Sequence, residues 1–189
     1  MIKNTQSEIR IIGGKWRGRK IIFEPSDATS LRPTPNRLRE TLFNWLSPVI
    51  AGSSCLDAFG GSGALGLEAL SRGAGQVTII EKHPKTLKYI QENATRFEAS
   101  NLSLICADTL HYLATLQEKF DVIFLDPPFQ YEALPKLLNI IAKSQLLTPE
   151  GYLYIESARA IDFALLNLPW QVFRTQKAGH VVATLGTYP

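Results

Sequence analysis

Cys55-Leu-Asp-Ala-Phe-Gly-Gly-Ser-Gly-Ala-Leu-Gly66 is the stretch that decides the fold class. A short apolar run ends in an acid, a glycine cluster follows, and Ala64–Arg72 then shows helical patterning, which reads as strand, tight turn and helix. The same alternation continues outward. The runs Cys55–Phe59, Val77–Ile80, Leu102–Cys106, Val122–Leu125 and Tyr152–Ile155 read as strands, with helical stretches at Ala64–Arg72, Pro84–Phe97 and Ala133–Ser144 between them. This is the pattern of a doubly wound, Rossmann-like α/β sheet. Past Trp170 the order changes to two extended runs, Gln171–Gln176 and His180–Leu185, separated by Lys177-Ala-Gly179 and expected as a C-terminal antiparallel hairpin on the sheet edge.

Ligands of such sheets sit at the carboxyl ends of the strands. Gly61-Ser-Gly-Ala-Leu-Gly66 matches the dinucleotide fingerprint, and Glu81 stands at a distance suited to a ribose, so the glycine loop alone leaves the ligand open. Asp57 favours one answer. A carboxylate at this loop repels a pyrophosphate but suits S-adenosylmethionine, which carries an ammonium and a sulfonium and no phosphate. Glu81 is then placed for both ribose hydroxyls, and Asp108, after Leu104-Ile-Cys-Ala107, for the adenine amino group. Each acid taken singly also reads as a helix cap or a surface charge.

Asp126-Pro-Pro-Phe129 directly follows the apolar strand Val122-Ile-Phe-Leu125. The prolines give up backbone donors and stiffen the turn, leaving the Asp126 carboxylate and the Pro127 carbonyl as acceptors at the sheet's end. A nucleobase NH2 group fits that arrangement, with Phe129 as a stacking surface and Pro128 closing the turn. An ordinary strand-terminating turn is the alternative. His83, His111 and His180 share no spacing, and amino methylation needs no strong base, so they are expected to be non-catalytic. No Cys/His cluster has metal-ligand spacing, and Cys55 and Cys106 are expected as small core residues.

The net charge of +3 hides an asymmetry: residues 1–40 hold nine Lys/Arg against four Asp/Glu, and the rest of the chain is slightly acidic. Within Arg10-Ile-Ile-Gly-Gly-Lys-Trp-Arg-Gly-Arg-Lys20, the cations Arg10, Lys15, Arg17, Arg19 and Lys20 suit phosphates and Trp16 suits a base. The same residues equally suit a solvated hairpin with Ile11, Ile12, Ile21, Ile22 and Phe23 packed inward. In Leu31–Leu46, Thr34 and Pro35 mark a helix start, and Leu38, Leu42, Trp45 and Leu46 recur at helical spacing. Arg32, Arg37 and Arg39 crowd that start, where the helix dipole disfavours cations, so an anionic partner or pairing with carboxylates such as Glu40 is expected. Residues 1–30 read as a basic N-terminal extension and 31–189 as the catalytic domain. The polar start and the lack of a run of about 18 apolar residues give the expectation of a cytoplasmic chain without a membrane span.

Asp126-Pro-Pro-Phe129 resembles the (D/N)PP(F/Y) motif of amino methyltransferases, and Leu56–Ala74 resembles their cofactor loop. More specifically, Arg10–Lys20, Arg32-Pro-Thr34 and Arg39-Glu-Thr-Leu-Phe-Asn-Trp45 are similar to bacterial 16S ribosomal RNA guanine-N2 methyltransferases of the RsmD type. The resemblance spans nearly the whole chain. It implies a guanine N2 acceptor in 16S rRNA, a 30S ribosomal subunit as substrate, and a monomeric enzyme. It also implies a cofactor pocket of Asp57, Phe59, Gly61, Gly63, Glu81 and Asp108 and an acceptor site of Asp126, Pro127, Pro128 and Phe129. Two departures are visible. Gly60 stands where alanine is usual, which is expected to loosen the loop, and His180 stands where glutamine is common. A DNA adenine-N6 methyltransferase, a nicotinamide-dependent oxidoreductase and a non-enzymatic ribosome-assembly factor are the rival readings.

Overall fold

A computed structural model describes residues 6–25, 36–128 and 131–188. Seven strands form the central sheet: β3 (Ser54–Asp57), β4 (Gln76–Glu81), β5 (Leu102–Cys106), β6 (Phe120–Leu125), β7 (Leu147–Ser157), β8 (Gln171–Ala178) and β9 (Val181–Thr187). Their order is β5-β4-β3-β6-β7-β9-β8, with β3 to β7 mutually parallel and β9 antiparallel to both neighbours. Succession runs outward from β3 through β4 to β5 and then returns to β6 on β3's other side. The crevice at the carboxyl ends of β3 and β6 is therefore the topological switch point, where such sheets bind ligands.

Helices cover both faces. On one side lie α1 (Asn36–Trp45), α2 (Ala64–Ser71) and α3 (Pro84–Phe97), packed on Cys55, Val77, Ile79, Val122, Phe124 and Tyr154. On the other lie α4 (Thr109–Leu113) and α5 (Leu134–Lys143), packed on Leu56, Ile80, Ile123, Leu125, Leu153 and Ile155. The two sets alternate along every strand, as a pleat with period two requires. Strands buried on both faces read as continuous apolar runs, which is why they stand out in the sequence. No helix among the described residues is long and apolar enough to cross a membrane.

A second sheet, β1 (Ser7–Arg10) with β2 (Lys20–Phe23), lies against α2 and α3. Glu68, fully buried on α2, accepts from the amides of Ile12 and Gly13 at 2.8 Å each and from Arg72 Nε at 2.8 Å. Ser71 Oγ accepts from the Trp16 amide and donates to the Gly13 carbonyl. Asn93 on α3 bridges both backbone groups of Ile22. Ile9, Ile11, Trp16, Ile21 and Phe23 join the same apolar cluster as α1 to α3.

The observed elements correct one sequence-based expectation and add a helix. Cys55 is buried, and burial pushes its thiol up to about 12, but Cys106 is exposed at the end of the edge strand β5. The short helix α4, capped by Asp108, has no sequence signature because one turn carries too little periodicity to read. Thr34 and Pro35 lie outside the described residues.

Candidate active site

β3 delivers Asp57 to the switch point, where it is only 1% exposed. Its Oδ2 accepts from the Gly66 amide at 3.0 Å, while Oδ1 is buried without a hydrogen-bond partner. Burial pushes its carboxyl up to about 7; the Gly66 and Phe59 amides oppose the rise, and the carboxylates of Asp126 and Glu81 add to it. A buried acceptor oxygen with nothing to accept from is costly, and a ligand cation relieves the cost.

The turn that follows Asp57 needs glycine at two places. Gly61 and Gly63 sit at φ 52° and 76°, in the left-handed region. Gly63 leads into α2, and Gly61 donates its amide to Glu81 Oε2 at 2.8 Å. Glu81, at the end of β4, also accepts from the His83 amide through Oε1 at 2.8 Å. Both oxygens are thus held by backbone amides and each retains acceptor capacity, which suits a vicinal diol. Gly60 does not loosen the loop as expected from its departure from the family pattern. A Cβ there would stand 2.6 Å from Ile79 Cγ2 and 3.1 Å from Ile90 Cδ1, so these two side chains fill the space an alanine methyl would take.

Asp108, beyond β5, caps α4 by accepting from the His111 amide and also meets His111 Nδ1 at 3.0 Å and Lys82 Nζ at 3.4 Å. Burial pushes its carboxyl up, but the bonds from His111 and Lys82 outweigh that and the net is a lowered value. Phe59 packs edge-on against Tyr131, ring centroids 5.3 Å apart, and the Tyr131 amide bonds the Pro128 carbonyl at 3.1 Å. The glycine turn and the Asp126-Pro127-Pro128 turn are thereby clasped together by an aromatic pair.

Asp126 follows Leu125 at the end of β6, next to β3, where Asp57 pairs with Phe124 and the Ala58 amide bonds the Phe124 carbonyl. Pro127 is half-buried and Pro128 exposed; Phe129 lies outside the described residues. Strand parity puts Asp57, Glu81, Asp126 and Glu156 on one face of the sheet. Glu156, on β7 and 6% exposed, accepts from the Tyr154 hydroxyl at 2.8 Å. Burial, with the charges of Glu156 and Asp126, pushes the Tyr154 phenol well above its usual value. Tyr131, Tyr154 and Glu156 are site residues that sequence reasoning missed, although Glu156 ends an apolar strand just as Asp57 and Glu81 do. Among the described residues no group of three or more His, Cys, Asp and Glu is placed to hold a metal ion.

The cations of the β1–β2 hairpin are not at this rim. Trp16 is 5% exposed, stacked at 5.3 Å on Phe97, which removes it from the residues available to a base. Arg39 is fully buried, donating to the Arg10 carbonyl and Asn36 Oδ1, and is a packing residue and not a phosphate contact. Arg10, Lys15, Arg17, Arg19 and Arg37 are exposed, Lys20 pairs with Glu8 at 2.7 Å, and Arg32 lies outside the described residues. Arg19 bonds the Arg96 carbonyl near the end of α3, whereas Lys85, at its start, reaches the Glu24 side chain. The length of α3 between them is about 16 Å. The hairpin's cations and the Asp126-Pro127-Pro128 turn therefore lie toward opposite ends of α3.

Residues 9–187 match the family described as Conserved hypothetical protein 95. Ribosomal RNA small subunit methyltransferase D of Escherichia coli K12 is 40% identical over 178 residues, covering 94% of this chain and 89% of that protein. The protein of the same name from Haemophilus influenzae is 40% identical, with 82% of each chain covered. Among solved structures, yhhF from Escherichia coli superposes with a TM-score of 0.84 at 38% identity, covering 96% of this chain and 98% of the other. A Thermus thermophilus 16S rRNA N2 methyltransferase, 22% identical with a TM-score of 0.72 over 98% of this chain and 50% of its own, shares the fold. The architecture is that of S-adenosylmethionine-dependent methyltransferases. On these matches the chain belongs to the Conserved hypothetical protein 95 family, together with ribosomal RNA small subunit methyltransferase D of Escherichia coli.

Proposed function

We propose that the chain transfers a methyl group from S-adenosylmethionine to the exocyclic N2 amino group of a guanine in 16S ribosomal RNA, presented on the 30S subunit. One observation carries the reading: the buried, partnerless Oδ1 of Asp57 and the Asp126-Pro127-Pro128 turn end adjacent strands at the switch point. A cation-binding carboxylate thus adjoins an amine-accepting turn. The names of the Escherichia coli and Haemophilus relatives supply ribosomal RNA as substrate class. The Thermus enzyme of the same fold, solved with AdoMet and guanosine, supports guanine as the base.

In this reading Asp57 holds the methionine ammonium, Glu81 the ribose diol and Asp108 the adenine amine. The cofactor supplies an electrophilic methyl carbon on a sulfonium. Asp126 and the Pro127 carbonyl accept the two N2 protons, which localises the nitrogen lone pair and aims it at that carbon. Once methylated, the nitrogen would give up its extra proton to the Asp126 carboxylate or to water, being then acidic enough to need no strong base.

The test is methyl transfer to unmodified 30S subunits by the unsubstituted chain and by Asp126→Ala. The variant is expected to bind S-adenosylmethionine normally and to fall at least ~100-fold in rate. A wild-type rate from Asp126→Ala would remove Asp126 from the acceptor site.

A further inference from the structure

We propose that Lys177 and His180, at the tip of the β8–β9 hairpin, form a second RNA-binding point that holds the backbone phosphate flanking the target nucleotide beside the acceptor turn. The proposal rests on the function assigned above and extends it to a surface outside the basic N-terminal segment.

Topology brings the tip to the catalytic rim. β9 runs antiparallel to β7 with Val182 opposite Ser157, so the turn joining β8 to β9 stands at the same end of the sheet as Asp126. Only β7 separates β6 from β9, and two strand spacings amount to about 10 Å. The turn itself is stiff: Ala178 pairs with Val181 across a two-residue loop, and Gly179 supplies φ 61° at its first position, as a type II′ turn demands.

Charge along the rim then selects the site for a phosphate. Asp108, Glu81, Asp57, Asp126 and Glu156 follow the sheet from β5 to β7, and this acidic row repels a phosphodiester. Lys82, within the row, is bonded to Asp108. Past β7 the sign changes. Lys177 and His180 are exposed, and neither makes an ion pair among the described residues. With Ala158 and Gly179 they line a concavity of about 260 Å³. Arg159, the residue after Ala158, is also exposed. A nucleotide whose base amine reaches Asp126 has its backbone directed away from the acids, toward the positive concavity.

The experiment uses the full chain and unmodified 30S subunits, comparing the unsubstituted protein with Lys177→Ala/His180→Ala, Lys177→Glu and Lys177→Arg. For the double alanine variant KM for 30S is expected to rise about tenfold with kcat within about twofold. The slope of log affinity against log salt should become shallower by about one for each phosphate that the variant no longer neutralises. The Kd for S-adenosylmethionine and the melting temperature should stay unchanged. Lys177→Glu should raise KM further and Lys177→Arg should restore it. An unchanged KM and salt slope in the alanine and glutamate variants, with the unsubstituted chain active, would overturn the role of the hairpin alone. No methyl transfer to any RNA by the unsubstituted chain would instead remove the function on which that role rests, and the role with it.

Discussion

Raising the pH from 6 to 7.5 should tighten S-adenosylmethionine binding about five- to sixfold, because Asp57 must ionise to receive the methionine ammonium. Its carboxyl sits at about 7 in the free protein, held there first by burial and then by the neighbouring charges of Asp126 and Glu81. The ionised fraction is therefore about 9% at pH 6 and about 76% at pH 7.5, a difference equivalent to roughly 1.2 kcal/mol of binding free energy. Over that range the ligand's own α-amino group, with a pKa near ~7.7–8.0, falls from almost wholly ammonium to about 61–76%, which trims the gain from Asp57 to about five- to sixfold and leaves the protein the larger contributor. Isothermal titration calorimetry in buffers of different ionisation enthalpy reads the proton directly. Binding at pH 6 should release about 0.9 proton through Asp57, and this contribution should shrink to about 0.2 at pH 7.5. Asp57→Asn should bind weakly and show none of this pH dependence. An affinity that is flat from pH 6 to 7.5, with no proton released at pH 6, would refute the pairing of Asp57 with the ligand cation.

The same carboxyl acts oppositely on stability. A raised acid favours the protonated fold, so stability falls between about pH 4 and pH 7 and the full cost, at most roughly 4 kcal/mol, stands above pH 7. Asp57→Asn should therefore raise the melting temperature at pH 8 by at least ~3 °C and leave it unchanged at pH 4, as differential scanning calorimetry can show. Gly14→Ala would place a Cβ 1.8 Å from the Ser71 carbonyl oxygen at φ 76°, and should cost at least ~2 kcal/mol and hasten tryptic cleavage at Arg17 and Arg19. Glu68→Ala removes the acceptor shared by two amides and Arg72, and should destabilise by about 3–5 kcal/mol in urea unfolding, with Glu68→Gln milder. A loss under ~1 kcal/mol would show that the N-terminal hairpin is anchored elsewhere.

The sheet is legible in the sequence because each central strand is buried on both faces, so Cys55-Leu56, Val77–Ile80 and Val122–Leu125 stand out as apolar runs against amphipathic helices. The acids can be located because they follow those runs. The same rule applied to Tyr152–Ile155 finds Glu156, which is easily passed over because it belongs to no motif. Trp16 and Arg39 mislead for a different reason. In local sequence a tryptophan among cations resembles a base-stacking residue, but its burial depends on Phe97 and Ser71, distant in the chain. Arg39 lies on a helix face that reads as a charged start, and only the docking of Arg10 shows that the face is covered. Likewise Cys106 belongs to an apolar run, and its exposure follows from β5 being the sheet edge, a property of strand order that no single segment encodes.

The central claim is tested most directly by incubating the full chain with methyl-labelled S-adenosylmethionine and unmodified 30S subunits, then digesting the RNA and identifying the labelled nucleoside by mass spectrometry. The account predicts label in N2-methylguanosine from 16S RNA. Label in adenosine or cytidine, or no label while the protein demonstrably binds the cofactor, would contradict it.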